Sequence, residues 1–373
     1  MDNSQSLSLS MDITGKITGI KYNITLRKEL KEVDISGFDI NKTPSAFLLN
    51  DNKQTYAVSK WVSPKRTRSY PYERVYDTLQ YVSKKITIIP IVKDEGAEGD
   101  RDYLQWDTVS LMSLLDVFVV FSYYDTAKVN PKNKEKITDQ QFNNQYVLAK
   151  IKEIEQYHSS ALHWNLSELN NFHQVIDRAK KAYAKIEIKT GVKLHGFEGL
   201  EKIGNDRTSF MAFSRDKAQK AQSREYVTVQ PKESLSTASK AKITITNYLG
   251  GQYFFTVDEI SYTKHKINLI EGKHSKKVIL PSRGDIKDGL LKMILFSNLS
   301  DVTANDKKVE SNAVLCLTSK FLKGEIDSSM AEKEVDTFLV KNKFSKVRTR
   351  LIKAVFGEAR QNNFIVKIRF QND

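Results

Sequence analysis

The chain has 373 residues, is 40% hydrophobic and 28% charged, and carries 59 lysines and arginines against 45 acids, a formal charge of +14. That composition excludes a disordered chain, and no window holds the roughly 18 uninterrupted apolar residues of a spanning helix. The positive excess suits a polyanionic partner, because phosphate neutralisation supplies most sequence-independent affinity for nucleic acid.

The N-terminus, "MDNSQSLSLSMDITGK", lacks the basic-then-apolar pattern of a secretion signal, so the chain reads as cytoplasmic. Short alternating runs, "GKITGIKYNITL" and "SAFLLNDNKQTYAVSKWV", predict peripheral strands. A basic loop then leads into a helix, "SPKRTRSYPYERVYDTLQYV". There Lys65, Arg66, Arg68 and Arg74 stand beside Tyr70 and Tyr72, a mixture of phosphate-pairing cations and stacking rings suited to nucleic acid; a solvated loop is the plainer alternative.

The β-branched run "KKITIIPIV" predicts a strand, and the loop after it, residues 93–107, gathers Asp94, Glu95, Asp100, Asp102 and Asp107. Those acids form either a second metal site or complements to the free amides and dipole of the next helix, "YLQWDTVSLMSLL". A buried strand, "VFVVFSYY", follows. Residues 138–185 are almost free of glycine and proline, and apolar spacing by threes and fours predicts two antiparallel helices. "TSFMAFSRDKAQKAQSREYV" is again helical, and the polar stretch "QPKESLSTASKAK" places a boundary near 232–240. Two domains are therefore expected, 1–235 and 236–373.

From Lys242 the order is β-β-β-α-β: "KITITNYL", "QYFFTVDEIS", "KINLIEGKHS", the helix "DIKDGLLKMILFSNL" and the strand "NAVLCLTS". Its Cys316 is the one cysteine, which excludes an internal disulfide and reads as a core thiol. One or two helices and a last strand, "NFIVKIRF", complete the chain. The fold class is α/β (α+β), a mixed sheet flanked by helices with an additional α/β and helical N-terminal region.

Strand alternation puts Ile267, Leu269, Glu271 and Lys273 on one face, and an acid of the preceding strand, Asp258 or else Glu259, beside Glu271. Two carboxylates can hold Mg²⁺, with a lysine to orient the attacking water. Asp/Glu-x-Lys occurs six times, starting at Glu29, Asp51, Glu187, Glu271, Asp285 and Asp306, but Glu271 alone lies on a predicted strand between an acid-bearing strand and an apolar helix.

In this context the stretch resembles the restriction-endonuclease-like nucleases with the PD-(D/E)XK motif, over residues 242–320, with Asp258, Glu271, Gly272 and Lys273 at the motif positions and Val257 in place of the proline. The resemblance implies a restriction-endonuclease-like core in 236–373, recognition by 1–235, and a type II restriction activity that hydrolyses phosphodiesters of double-stranded DNA. It further implies Mg²⁺ held by Asp258 and Glu271, with Mn²⁺ as a substitute, a homodimer and a prokaryotic cytoplasm. Glu225 is a candidate for a further acid from a flanking helix, and Lys276 and Lys277 form a basic rim. His274 should face away from Lys273 in a structural role. A non-specific or repair nuclease and a non-catalytic nucleic-acid-binding protein are the rival readings. No Walker loop, dinucleotide-binding turn or Gly-x-Ser-x-Gly elbow is present.

Overall fold

The computed structural model describes residues 11–61, 72–197, 207–227, 240–248, 251–263 and 266–372. They form two compact units: the described residues up to Arg27 with those from Ala218 onward, and Lys28–Lys217. The linker expected near 232–240 lies almost wholly outside the described residues, as do Lys65, Arg66 and Arg68. The architecture is mixed α/β, with several sheets flanked by helices. Among the described residues no helix is long and apolar enough to cross a membrane.

Strand β1 (Met11–Ile17) belongs to the first unit. The second holds β2 (Lys31–Asp34), β3 (Ala46–Asn50), β4 (Thr55–Lys60), β5 (Lys85–Pro90), β6 (Val92–Asp94), β7 (Arg101–Tyr103), β8 (Val117–Ser122), β9 (Tyr124–Asn130) and β10 (Asn133–Phe142). Its helices are α1 (Tyr72–Leu79), α2 (Trp106–Leu114), α3 (Asn144–Glu155), α4 (Ala161–Asn170) and α5 (Phe172–Thr190). The main sheet runs β2-β3-β4-β5-β8, and β4, β5 and β8 are parallel to one another.

All six residues of β8 are buried, as a strand covered on both faces requires. β8 is also the last strand of its sheet, and α4 caps that edge. Trp164 Nε1 donates to the Val119 carbonyl at 2.9 Å, while the Asn165 side chain accepts from Val119 N at 2.7 Å and donates to the Val117 carbonyl at 3.0 Å. Backbone groups that would otherwise template a foreign strand are thereby spent.

Two expectations are corrected here. Residues 138–142 close the β9–β10 hairpin, and the rest of 138–185 falls into three helices rather than two. Ser160 and Asn171 flank the middle helix as its caps, and Ser160 accepts from His163 N at 3.2 Å, so short polar residues divide the periodic run.

The first unit contains β11 (Ala241–Asn247), β12 (Gln252–Val257), β13 (Glu259–Thr263), β14 (Lys266–Ser275), β15 (Ser300–Ala304), β16 (Lys307–Lys308), β17 (Glu310–Ser319), β18 (Glu325–Asp327) and β19 (Ile365–Phe370). Its helices are the later part of α6 (Arg207–Val227), then α7 (Arg283–Phe296), α8 (Glu332–Lys341) and α9 (Lys346–Gln361). One sheet runs β12-β11-β1-β15-β16 and the other β13-β14-β17-β19-β18. Helix α7 follows β14 and packs on it and on the parallel β17, which the chain reaches after passing through β15 and β16 of the other sheet.

Buried residues lie almost all round α7, as on a helix enclosed in a core. Gly289 permits its close approach: a Cβ there would come 2.6 Å from Leu315 Cδ1 and 3.5 Å from Lys273 Cε. The segment Tyr22–Leu26 is pinned to α9 by buried Glu358, which accepts from Tyr22 Oη at 2.8 Å, Thr25 N at 2.9 Å and Leu26 N at 2.8 Å.

Candidate active site

The apolar run that carries the first acid is not one strand. β12 pairs with β11 in one sheet, whereas β13 pairs with β14 in the other, and Asp258 sits at the bend between them. The expectation that Asp258 lies on a strand paired to β14 is corrected accordingly. The β13–β14 ladder ends at the Glu259–Ile270 pair, and beyond it the carboxylate of Asp258 takes the Gly272 N–H at 2.8 Å. A side chain thus supplies the acceptor that a continuing strand would have offered.

Glu259 pairs with Ile270, so it points to the face opposite Glu271, where Arg369 Nη2 meets it at 3.2 Å. That face also buries Ile270, Val314 and Cys316. Asp258, not Glu259, is therefore the acid beside Glu271. Burial pushes the Cys316 thiol up, in keeping with a core thiol.

Glu271 and Lys273 share the face covered by α7. Glu271 is 1% exposed, yet both its oxygens are engaged: Oε1 by Lys273 Nζ at 2.9 Å and Oε2 by Lys292 Nζ at 2.7 Å. Lys292 comes from α7, one turn beyond Gly289 on the same helix face, and its ammonium lies 5.8 Å from the Phe255 ring centre. Sequence reasoning missed Lys292. The available signal was a lone lysine between Leu291 and Met293 in a helix otherwise apolar at those positions.

Asp258 is 5% exposed, and burial followed by the nearby charge of Glu271 pushes its carboxyl up to about 7. Burial also acts to raise Glu271, but Lys273 and Lys292 outweigh it and hold that carboxyl below the usual range. The Lys273 ammonium is pressed down by burial and lifted more strongly by Glu271, a net rise. The donor set is two buried carboxylates in mutual repulsion, which suits a hard cation such as Mg²⁺ with oxygen ligands. Among the described residues, no group of three or more His, Cys, Asp or Glu side chains converges on a metal-sized site.

The other candidates fall elsewhere. His274 is buried with Nδ1 2.8 Å from Thr318 Oγ1, the structural role expected of it. Lys276 and Lys277 are exposed just beyond β14. Glu225 lies on α6 with its side chain outside the described residues; the α6 side chain seen to reach the sheet is Gln222, which donates to the Phe255 carbonyl at 2.8 Å. Arg74 turns inward to the Lys60 carbonyl at 3.3 Å, and Lys60 is buried against the Ile40 carbonyl at 2.5 Å.

In the acidic loop, Asp94 is committed to protein partners. It accepts from Gly96 N at 2.9 Å and His195 N at 3.0 Å and lies 2.8 Å from His195 Nδ1, while Glu95 pairs with Lys93 at 2.5 Å. Asp107 stands in the first turn of α2, where an acid complements the helix dipole. Compared with known protein families, curated proteins and solved structures, the chain matches none.

Proposed function

We propose that the protein is a Mg²⁺-dependent, site-specific DNA endonuclease of restriction type built on a restriction-endonuclease-like core. The observation that carries this reading is the convergence of Asp258, Glu271 and Lys273 where a strand leaves one sheet for another, ahead of a helix that packs on a parallel strand. An ornamental surface hairpin would leave these charges solvated; here both acids are buried.

Asp258 and Glu271 would hold the metal. A bound Mg²⁺, for which Mn²⁺ substitutes, supplies positive charge beside the scissile phosphate and acidifies water there. Lys273, fixed on the strand of Glu271, donates toward the attacking water and the charge that gathers on phosphate oxygen. The apolar walls from Leu315 and Leu317 keep bulk water from these interactions. In this reading Lys276 and Lys277, exposed beyond β14, would contact the DNA backbone, the N-terminal region 1–235 would supply recognition, and cleavage of both strands would call for a homodimer.

The test is incubation of phage DNA with the protein in Mg²⁺. Discrete fragments are expected, and Asp258→Ala or Lys273→Ala should abolish them while DNA binding without metal stays measurable. A smear would replace the reading with a nuclease that lacks sequence specificity. Binding without cleavage in Mg²⁺ or Mn²⁺ would mark a non-catalytic DNA-binding protein.

A further inference from the structure

We infer that Lys292 is a built-in cation that holds Glu271 in the metal-free protein and leaves it when a divalent metal binds. The inference rests on the metal-dependent reading above. Each oxygen of Glu271 already carries an ammonium, so a divalent metal drawn to this carboxylate meets two like charges at close range, and departure of one lysine relieves that repulsion. Lys273 is fixed two residues along the same strand, with Gly289 of α7 against its stem. Lys292 reaches in from the facing helix on a flexible stem, 5.8 Å from the Phe255 ring centre and partly exposed, 16% against 22% for Lys273, so what separates the two lysines is their anchorage and not their exposure.

Charge counting points the same way. With both acids ionised, Asp258 and Glu271 balance Lys273 and Lys292, so a divalent ion entering the intact cluster would leave two uncompensated positive charges in a buried place. Departure of Lys292 leaves one, which a single backbone phosphate cancels. The ammonium is therefore a placeholder whose exit is coupled to entry of metal and substrate.

The test uses the full-length protein with Mn²⁺ alone, and no DNA. Lysine acetylation by an amine-reactive ester is followed by mass spectrometry, with exposed Lys276 as the control. Saturating Mn²⁺ should raise modification of Lys292 several-fold and leave Lys273 unchanged. In a thermal-shift titration, Lys292→Met should bind Mn²⁺ about tenfold more tightly, in line with removal of a close like charge. Lys292→Arg, whose planar fork grips a carboxylate in two places, should bind it more weakly.

Unchanged reactivity of Lys292 at Mn²⁺ levels that raise the melting temperature of the wild type, but not of Asp258→Ala, overturns the inference and leaves the metal-dependent reading standing. No Mn²⁺-dependent shift in the wild type overturns both. The labelling arm needs no variant to fold.

Discussion

Asp258 and Glu271 are both sealed from solvent, yet they answer burial in opposite ways because two lysines favour one of them. The consequence for stability has a definite sign. Below about pH 4 both folded and unfolded chains hold the Asp258 proton. Between there and about 7 the folded chain keeps a proton that the unfolded chain has lost, so this group's contribution to stability falls as pH rises. Glu271, held low, contributes stability that is lost as pH falls through its own lowered range. Asp258→Asn should therefore stabilise the metal-free protein at pH 8 by about 1–3 kcal/mol, do little at pH 4, and abolish cleavage. Denaturant unfolding at the two pH values checks this, and an equal effect at both would refute it. The pairing of Glu271 with Lys273 was legible in alternation alone. The bend at Asp258 was not, because "TVDEIS" holds no glycine or proline to mark it, and Lys292 was not, because helical spacing shows that a residue faces inward but not which charge it will meet.

Helices α7 and α9 offer a paired comparison between two glycines. Alanine at Gly289 gains about 1 kcal/mol of helix propensity but forces a methyl group into Leu315, which has no room to retreat in a closed core. Gly289→Ala should be destabilising by about 1–2 kcal/mol net and should weaken metal binding by disturbing Lys273. Gly357 on α9 has no atom within 4 Å of the corresponding position, so Gly357→Ala should stabilise by up to about 1 kcal/mol. Urea midpoints of the two variants supply the check. Elements with strong periodicity were legible: β5, β8, α6, α7, β11, β14 and β17, whereas β12 and β13 read as one strand and the short β15 and β16 gave no signal. The β9–β10 hairpin was hidden because its strands are mostly polar and exposed, which leaves no alternation to read. The division into α3, α4 and α5 was hidden because capping serines and asparagines look like ordinary polar helix residues.

At the scale of the whole chain, β1 lies in the centre of its sheet, parallel to β11 and antiparallel to β15. A truncation that removes residues 1–17 should abolish cooperative unfolding of the unit that carries Asp258 and Glu271 while Lys28–Lys217 keeps its own transition. Calorimetry of the truncated protein decides, and retention of a metal-sensitive transition would count against it. The same pairing sets a timetable for biosynthesis. Strand β1 leaves the ribosome before either of its two neighbours, the later of which ends at Ala304. At about 5–20 residues per second it waits roughly 15–60 s, exposed, while Lys28–Lys217 is made and can fold first. The nascent chain must therefore keep an unpaired, half-apolar strand out of trouble for longer than that intervening unit takes to be synthesised, and the buried cluster of Asp258, Glu271, Lys273 and Lys292 forms only after that unit has been made.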